Sequence, residues 1–424
     1  MIKPVKYDIN IKSEILARSI TDTCEVEKAV KAIIADVIKN GDSALKLFSE
    51  KFDRVVLTDF KVSESEFDEA ERAVSEDYKE ILRRSAQNIA TFHRAQLRKG
   101  FEIESDGCVV GQKVTPLEKA GIYVPGGTAA YPSTVLMNAI PAKIAGVKRI
   151  VMVTPPLKDG RVKPEVLVAA RIAGVDEIYK IGGAQAIAAL AYGTESIPKV
   201  DKITGPGNIY VATAKKLVYG VCGIDMIAGP SEILVIADDG ANAEHVAADL
   251  LSQAEHDKLA TAVLITDSEM LASDVSEALE RRVNGLLRRE IAQASLENNC
   301  KLIIAENLKQ AVEISDELAP EHLELCVREP FELLGCVKNA GSVFLGYNTP
   351  EAVGDYYAGA NHTLPTSGTA RFASPLGVED FIKTTQYVYY TKEKLMSSSR
   401  DIAAFAQSEG LTAHAESVTV RTEK

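Results

Sequence analysis

Arg149-Ile150-Val151-Met152-Val153 and Glu177-Ile178-Tyr179-Lys180-Ile181 are continuous runs rich in apolar residues, and the segment between them, Pro164 to Ala173, carries its apolar residues at helical spacing. Two strands that bury both faces, joined through a helix, make a β-α-β crossover with parallel strands. The same order extends in both directions. Upstream, Ile122-Tyr123-Val124 leads through Pro125-Gly126-Gly127 into a helix from Ser133 to Ala145. Downstream, Gly182-Gly183-Ala184-Gln185 opens the next helix, and Val200 to Ile203 leads through Thr204-Gly205-Pro206-Gly207-Asn208 into another. Past Gly229 the alternation resumes, with strands at Glu232–Ala237, Ala262–Thr266 and Leu302–Ile304, a helix from Ala241 to His256, a long helix after Thr266, and one from Leu308 to Ile314. The spacing predicts two α/β units that meet near residues 230 to 235.

The flanks read differently. Residues 1 to 22 look like an arm. From Glu25 to Phe101 the pattern is helical, with an apolar stripe of Val26, Ala29, Val30, Ile33, Ile34, Val37 and Ile38 that stops at Lys39-Asn40-Gly41. A second long helix, Ile81 to Gln96, carries His93 among polar residues, where it reads as a surface side chain. Tyr347 to Ser374 is rich in Gly, Thr, Ser and Pro and is too long for a simple connector, so a functional loop is expected. A last helix from Ser397 to Glu409 stops at Gly410, and Ser417-Val418-Thr419-Val420 reads as a short closing strand. The expected organisation is an arm at 1–22, a discontinuous α/β domain at 23–118 and 233–375, a second α/β domain inserted at 119–232, and a C-terminal segment at 376–424.

Composition narrows the class. The 424 residues are 46% hydrophobic and 25% charged, as in a globular chain, and the formal net charge of -12 disfavours nucleic acid or an anionic membrane as partner. No stretch has the length and apolarity of a membrane span, and Met1-Ile2-Lys3-Pro4-Val5-Lys6-Tyr7-Asp8 lacks the apolar core of a signal peptide, so a cytoplasmic location is expected. Cys24, Cys108, Cys222, Cys300, Cys326 and Cys336 are scattered without a C-x-x-C pair, which indicates neither a disulfide framework nor a zinc finger.

The chemistry gathers around histidine. Of six histidines, His93 and His245 sit in regular helical pattern, while four lie beside a carboxylate or amide at a break in periodicity. These are Gln253-Ala254-Glu255-His256, Pro320-Glu321-His322, Asp355 through Asn361-His362, and Glu409 through His414. Gln253 and His256 share a helix face and offer an amide oxygen and an imidazole nitrogen. With a carboxylate added, that donor set suits a zinc-like divalent ion and needs no thiolate. It equally describes unrelated loop histidines. Glu321-His322 begins an alternating run in which Leu323, Leu325 and Val327 face one side and His322 the other, where a neutral imidazole could accept a proton. No G-x-G-x-x-G occurs. The Gly-rich strand–helix turns could bring backbone N–H groups to an anion, or be plain tight turns. A zinc hydrolase or a non-catalytic α/β binding protein would use parts of the same set.

Taken together, these segments resemble the histidinol dehydrogenase family. The matching stretches, in chain order, are Gly121 to Gly127, Gly182 to Leu190, Gly205-Pro206-Gly207-Asn208, Ala228-Gly229-Pro230-Ser231-Glu232, Leu251 to His256, Pro320-Glu321-His322-Leu323, Gly354-Asp355-Tyr356 through Asn361-His362 with Leu364-Pro365-Thr366, and Leu411-Thr412-Ala413-His414. The resemblance implies an NAD-dependent homodimer with one zinc ion per subunit. It would oxidise L-histidinol to L-histidine through L-histidinaldehyde in two successive hydride transfers, the last steps of histidine biosynthesis. The resemblance implies zinc ligands Gln253, His256, Asp355 and His414, and catalysis by Glu321 and His322. Substrate contacts would be Ser231, Gln253, His256, His322, Asp355, His362, Glu409 and His414, with the cofactor against Tyr123, Gln185 and Asn208. It further implies two Rossmann-like but incomplete parallel-sheet domains, with small terminal segments exchanged in an intertwined dimer. Residues 376–424 would then reach the partner subunit's active site.

Overall fold

The computed structural model describes residues 2–8, 10–11, 24–126 and 130–422. Most of the expected N-terminal arm, and Gly127 of the Pro125-Gly126-Gly127 turn, lie outside the described residues. The chain forms two compact units, Met1–Gln96 with Leu117–Phe381, and Leu97–Pro116 with Ile382–Lys424.

The larger unit is α/β and contains two parallel sheets. The first has strand order Glu177–Lys180, Arg149–Thr154, Lys119–Tyr123, Lys202–Thr204, Gly223–Ile224. The chain moves outward on one side of Lys119–Tyr123 and then returns to build the other side. The order therefore reverses between Lys119–Tyr123 and Lys202–Thr204, and such a switch opens a crevice beyond the strand ends. The second sheet runs Val5–Lys6, Cys300–Ile304, Thr261–Thr266, Glu232–Ala237, His322–Cys326, Ser342–Leu345. Its order reverses between Glu232–Ala237 and His322–Cys326, which pair with His322 opposite Ile233. The first residues of the expected arm thus supply an edge strand, with Val5 opposite Ile303.

The N-terminal helices belong, by packing, to the first sheet. Val30, Ile33, Ile34 and Val37 of the helix Cys24–Asn40 share a core with Ile187, Leu190, Ile203 and Val211. Leu82 and Ile89 of the helix Glu76–Arg94 share another with Ile122, Met137 and Ile150. Each such side chain contributes about 1.5–3 kcal/mol on burial, so these stripes hold the helices to that sheet. The expected grouping placed residues 23–118 with 233–375 instead.

Four local expectations are corrected. His93 is fully buried, not a surface residue. Leu82, Ser85, Ile89 and His93 recur at helical spacing on the buried face of Glu76–Arg94, and its polar neighbours occupy the other face. The long helix after Thr266 is two, Glu269–Arg282 and Arg289–Asn299, interrupted at Val283–Gly285. Residues 97–116, expected within the discontinuous α/β domain, lie in the smaller unit instead, where Cys108–Pro116 pairs antiparallel with Phe101–Ser105 and Ile382–Tyr390. Ser417–Val420 is not a strand, because Thr412–Thr419 is helical, with Ala415 buried. The smaller unit adds the helix Lys392–Ser408 to that three-stranded sheet and leaves Phe101, Val388, Tyr389, Phe405 and Val420 exposed. Among the described residues no helix is long and apolar enough to cross a membrane.

Candidate active site

His322 stands at the first position of its strand, and period-2 alternation buries Leu323 and Leu325 in one core while sending His322 to the opposite face. Its Nδ1 lies 3.1 Å from the carbonyl oxygen of Glu232 on the neighbouring strand. A carbonyl oxygen only accepts, so Nδ1 carries the hydrogen and Nε2 keeps its lone pair. Nε2 is buried without a hydrogen-bond partner, 3.7 Å from Glu351 Oε1 and 3.8 Å from Asp355 Oδ1. Burial, followed by the nearby His362 and His256, pushes this imidazole down to about 3. In the ligand-free protein it is therefore neutral near pH 7, with the Nε2 lone pair uncommitted.

The surrounding groups come from distant parts of the chain. Glu321 is buried, its Oε2 accepts the Glu232 N–H at 3.0 Å, and burial raises its carboxyl well above the usual range. Gln253 is the last residue but one of the helix Ala243–Ala254, which Asn242 caps through the Glu244 N–H at 2.8 Å. The Gln253 amide nitrogen is 3.4 Å from His322 Nδ1, and its Oε1 is buried without a partner. His256, expected as the last residue of this helix, sits in the turn two residues past its end, its N–H donating to Gln253 O at 3.1 Å. Its side chain shares the field of His322 and His362. Asp355, raised to about 7 by burial, lies one helical turn after Glu351. His362, lowered to about 4 by burial and then by His256, has an unpartnered buried Nε2. Ser231 directly precedes Glu232. The donor atoms of His322, Glu351 and Asp355 all lie within 4.8 Å of one another.

The segment 347–374 carries Glu351, Asp355 and His362, and it is tied down rather than loose. Ser85 donates to Tyr356 O at 2.6 Å, Asn88 to Tyr357 O at 2.8 Å, and Asn361 to Met137 O at 2.7 Å, while Thr366 Oγ1 accepts the Gly229 N–H at 2.6 Å. His93 joins this support, 2.8 Å from Gln96 Oε1 and 3.4 Å from Asn361 Nδ2. The cluster gathers at the amino ends of Glu232–Ala237 and His322–Cys326, not at the carboxyl edge where open parallel sheets usually bind ligands.

The crevice of the first sheet does follow that rule. A cavity of about 910 Å³ is lined by Tyr123, Gln185 and Asn208 together with Gly126, Gly183, Asp53 and Phe52. A volume of this size accommodates a large organic ligand. Tyr123 Oη accepts the Gly183 N–H at 3.2 Å, and Asn208 Oδ1 caps the following helix through the Tyr210 and Val211 N–H groups. Glu409 and His414 belong to the smaller unit, where both are exposed, Glu409 at the end of Lys392–Ser408 and His414 within Thr412–Thr419.

Sequence reasoning missed Glu351 and Asp53. Glu351 is four residues before Asp355, a spacing that puts both on one side of a helical turn. Asp53 carried no such signal. Burial raises its carboxyl to about 6 from 3.8, and its Oδ2 is buried without a partner. A carboxyl raised on folding binds its proton more tightly in the native state, so the native advantage is complete below pH 4 and lost as pH rises through 6. Asp53→Asn keeps the neutral form throughout. It is expected to raise Tm by about 1–2 °C at pH 8 and by nothing at pH 4, read by scanning fluorimetry at both values.

A cavity at the switch point of one parallel sheet and a buried acid–base cluster on the other define an α/β enzyme. The histidinol dehydrogenase family profile matches residues 16–422. The histidinol dehydrogenase of Lactococcus lactis is 52% identical over 99% of both chains, and that of Streptococcus mutans 54% identical over 95% of this chain and 94% of its own. A crystal structure of histidinol dehydrogenase from Elizabethkingia anophelis superposes with a TM-score of 0.95 at 38% identity, covering 99% of this chain and 98% of that one. The chain belongs to the histidinol dehydrogenase family and is an oxidoreductase.

Proposed function

We propose that the chain oxidises L-histidinol to L-histidine by way of L-histidinaldehyde, with NAD as hydride acceptor and one zinc ion per subunit, as the closing steps of histidine biosynthesis in the cytoplasm. The observation that carries the reading is His322, a buried imidazole whose Nδ1 is fixed as donor and whose Nε2 is free beside Glu351 and Asp355. The donors fit zinc: the Gln253 amide oxygen is buried and unpartnered, and Gln253, Asp355 and His256 all adjoin His322, a set that offers amide, carboxylate and imidazole donors. Gln253, His256 and Asp355 would hold the ion with His414 of a second subunit. Bound zinc would anchor the substrate's imidazole and amino nitrogens without redox change, and bound NAD⁺ would take the hydride.

The protein's own groups do the rest. His322 Nε2 accepts the hydroxyl proton in the first oxidation and a proton from the hydrated aldehyde in the second. Glu321, held by the Glu232 N–H 3.7 Å from His322 Nδ1, orients and activates the water that hydrates the aldehyde. Ser231, His362 and Glu409 complete the substrate contacts. Tyr123, Gln185 and Asn208 would line the cofactor's cleft. The exposed apolar residues of the smaller unit suit burial in a homodimer, which is how His414 would reach a site.

Glu321→Gln keeps an acceptor for the Glu232 N–H but removes the acid. It is expected to slow histidinaldehyde oxidation by about a hundredfold and histidinol oxidation by less than about tenfold. Equal losses in the two half-reactions would remove the water-activating role.

The function is tested by NADH formation from L-histidinol and NAD⁺ before and after chelation. Two NADH per histidinol, lost on chelation and restored by zinc, are expected. One NADH would end the reaction at the aldehyde. None from folded, zinc-loaded protein would overturn the assignment of substrate and cofactor, and hydrolysis of an amide or ester would then be assayed.

A further inference from the structure

Lys215 lies in the helix Ile209–Val218 with its side chain 2% exposed, within the apolar surroundings of Val211, Ala214 and Val218. A fully buried lysine is uncommon, and none of the proton transfers above uses it. It pairs with Asp225, whose side chain is 1% exposed. Both partners also grip the same residue. Lys215 Nζ donates to Gly205 O at 2.9 Å, and Asp225 Oδ2 accepts the Gly205 N–H at 2.8 Å, while Asp225 Oδ1 accepts the Met226 N–H at 2.6 Å.

Gly205 is where the turn presses on the cofactor cleft. Its φ is +111°, and a Cβ placed there would stand 2.1 Å from the Tyr123 carbonyl oxygen, so only glycine permits this approach. Three residues on, Asn208 lines the cavity, as does Tyr123. Tyr123 Oη in turn accepts the Gly183 N–H at the start of the helix carrying Gln185. One buried ion pair therefore fixes the backbone contact through which all three cleft residues are connected.

We propose that Lys215 and Asp225 are positioning residues for the dinucleotide cleft, clamping both peptide groups of Gly205 so that the Gly205–Asn208 turn stands preformed against Tyr123. The proposal rests on the NAD reading above. A buried ion pair is a poor source of stability, since apolar replacement of both partners is often neutral. Its use here is geometric: a preformed wall removes the ordering cost that a mobile turn would take from cofactor binding.

The test is calorimetric titration of the zinc-loaded enzyme with NAD⁺ and with ADP-ribose. Lys215→Met alone strands a buried carboxylate, so the deciding variant is Lys215→Met with Asp225→Asn, which removes both charges and retains an acceptor for the Gly205 N–H. The double variant is expected to bind both ligands about tenfold more weakly, with KM for NAD⁺ raised in step and kcat at saturating NAD⁺ preserved. Zinc content and the affinity for L-histidinol are expected to stay within about twofold, because none of the groups assigned to them lines this cleft. Wild-type affinity for NAD⁺ and ADP-ribose in the double variant would overturn the clamp and leave the cofactor assignment standing. A wild-type enzyme that binds neither ligand would overturn both.

Discussion

His322→Asn is expected to lower kcat for both oxidations, histidinol to histidinaldehyde and histidinaldehyde to histidine, by about a thousandfold. Asparagine can present its amide nitrogen to the Glu232 carbonyl, so the Nδ1 contact at 3.1 Å has a replacement, and the strand pairing of residue 322 with Ile233 is backbone-only. What disappears is the lone pair of Nε2, the atom that lies buried and unpartnered between Glu351 and Asp355. An amide is not basic enough to take its place. Each half-reaction releases a proton from oxygen, so both fall together, which separates this variant from Glu321→Gln. The check is NADH release in single-turnover experiments started from each substrate, with zinc content measured alongside. Loss confined to one half-reaction would show that His322 is not the shared base.

Protein carrying His256→Ala or His414→Ala is expected to fall below about 1% of wild-type activity, since each removes one of four zinc donors. Mixing the two is expected to restore about a quarter of wild-type activity. Random reassociation makes half of the dimers mixed, and in a mixed dimer with exchanged tails one site carries both changes while the other carries neither. The measurement is turnover and zinc content after the two proteins are unfolded and refolded together, against each refolded alone. No recovery would place all four donors within one subunit. His414 and His256 lie in different compact units of the chain, and His414 is exposed, as a group offered to a second subunit is before assembly.

The β-α alternation between 119 and 318 was legible because it is local. Glu232–Ala237 was predicted at its observed bounds, and Thr261–Thr266 and Leu308–Leu318 within a few residues, since an apolar run between turn residues reports its own burial. His322 was legible for the same reason: alternation with Leu323 and Leu325 assigns its face without reference to anything distant. His93 was misread where its polar neighbours were weighed over its spacing from Ile89 and Leu82, and Ser417–Val420 was read as a strand although it continues the helix Thr412–Thr419.

What the sequence determined by itself is the set of parallel β-α units, the face that His322 takes, and the family, because these depend on periodicity and on motifs read in order. The tertiary structure alone decided that the helices of 24–94 cover the first sheet, and that Glu351 joins His322 and Asp355 in one cluster. It alone decided that the acid–base cluster lies at the amino ends of its strands, and that a buried lysine holds Gly205 against Tyr123. Those facts join residues far apart in the chain. Their contacts are selected by how whole faces of helices and sheets pack, a property that no local window of sequence contains.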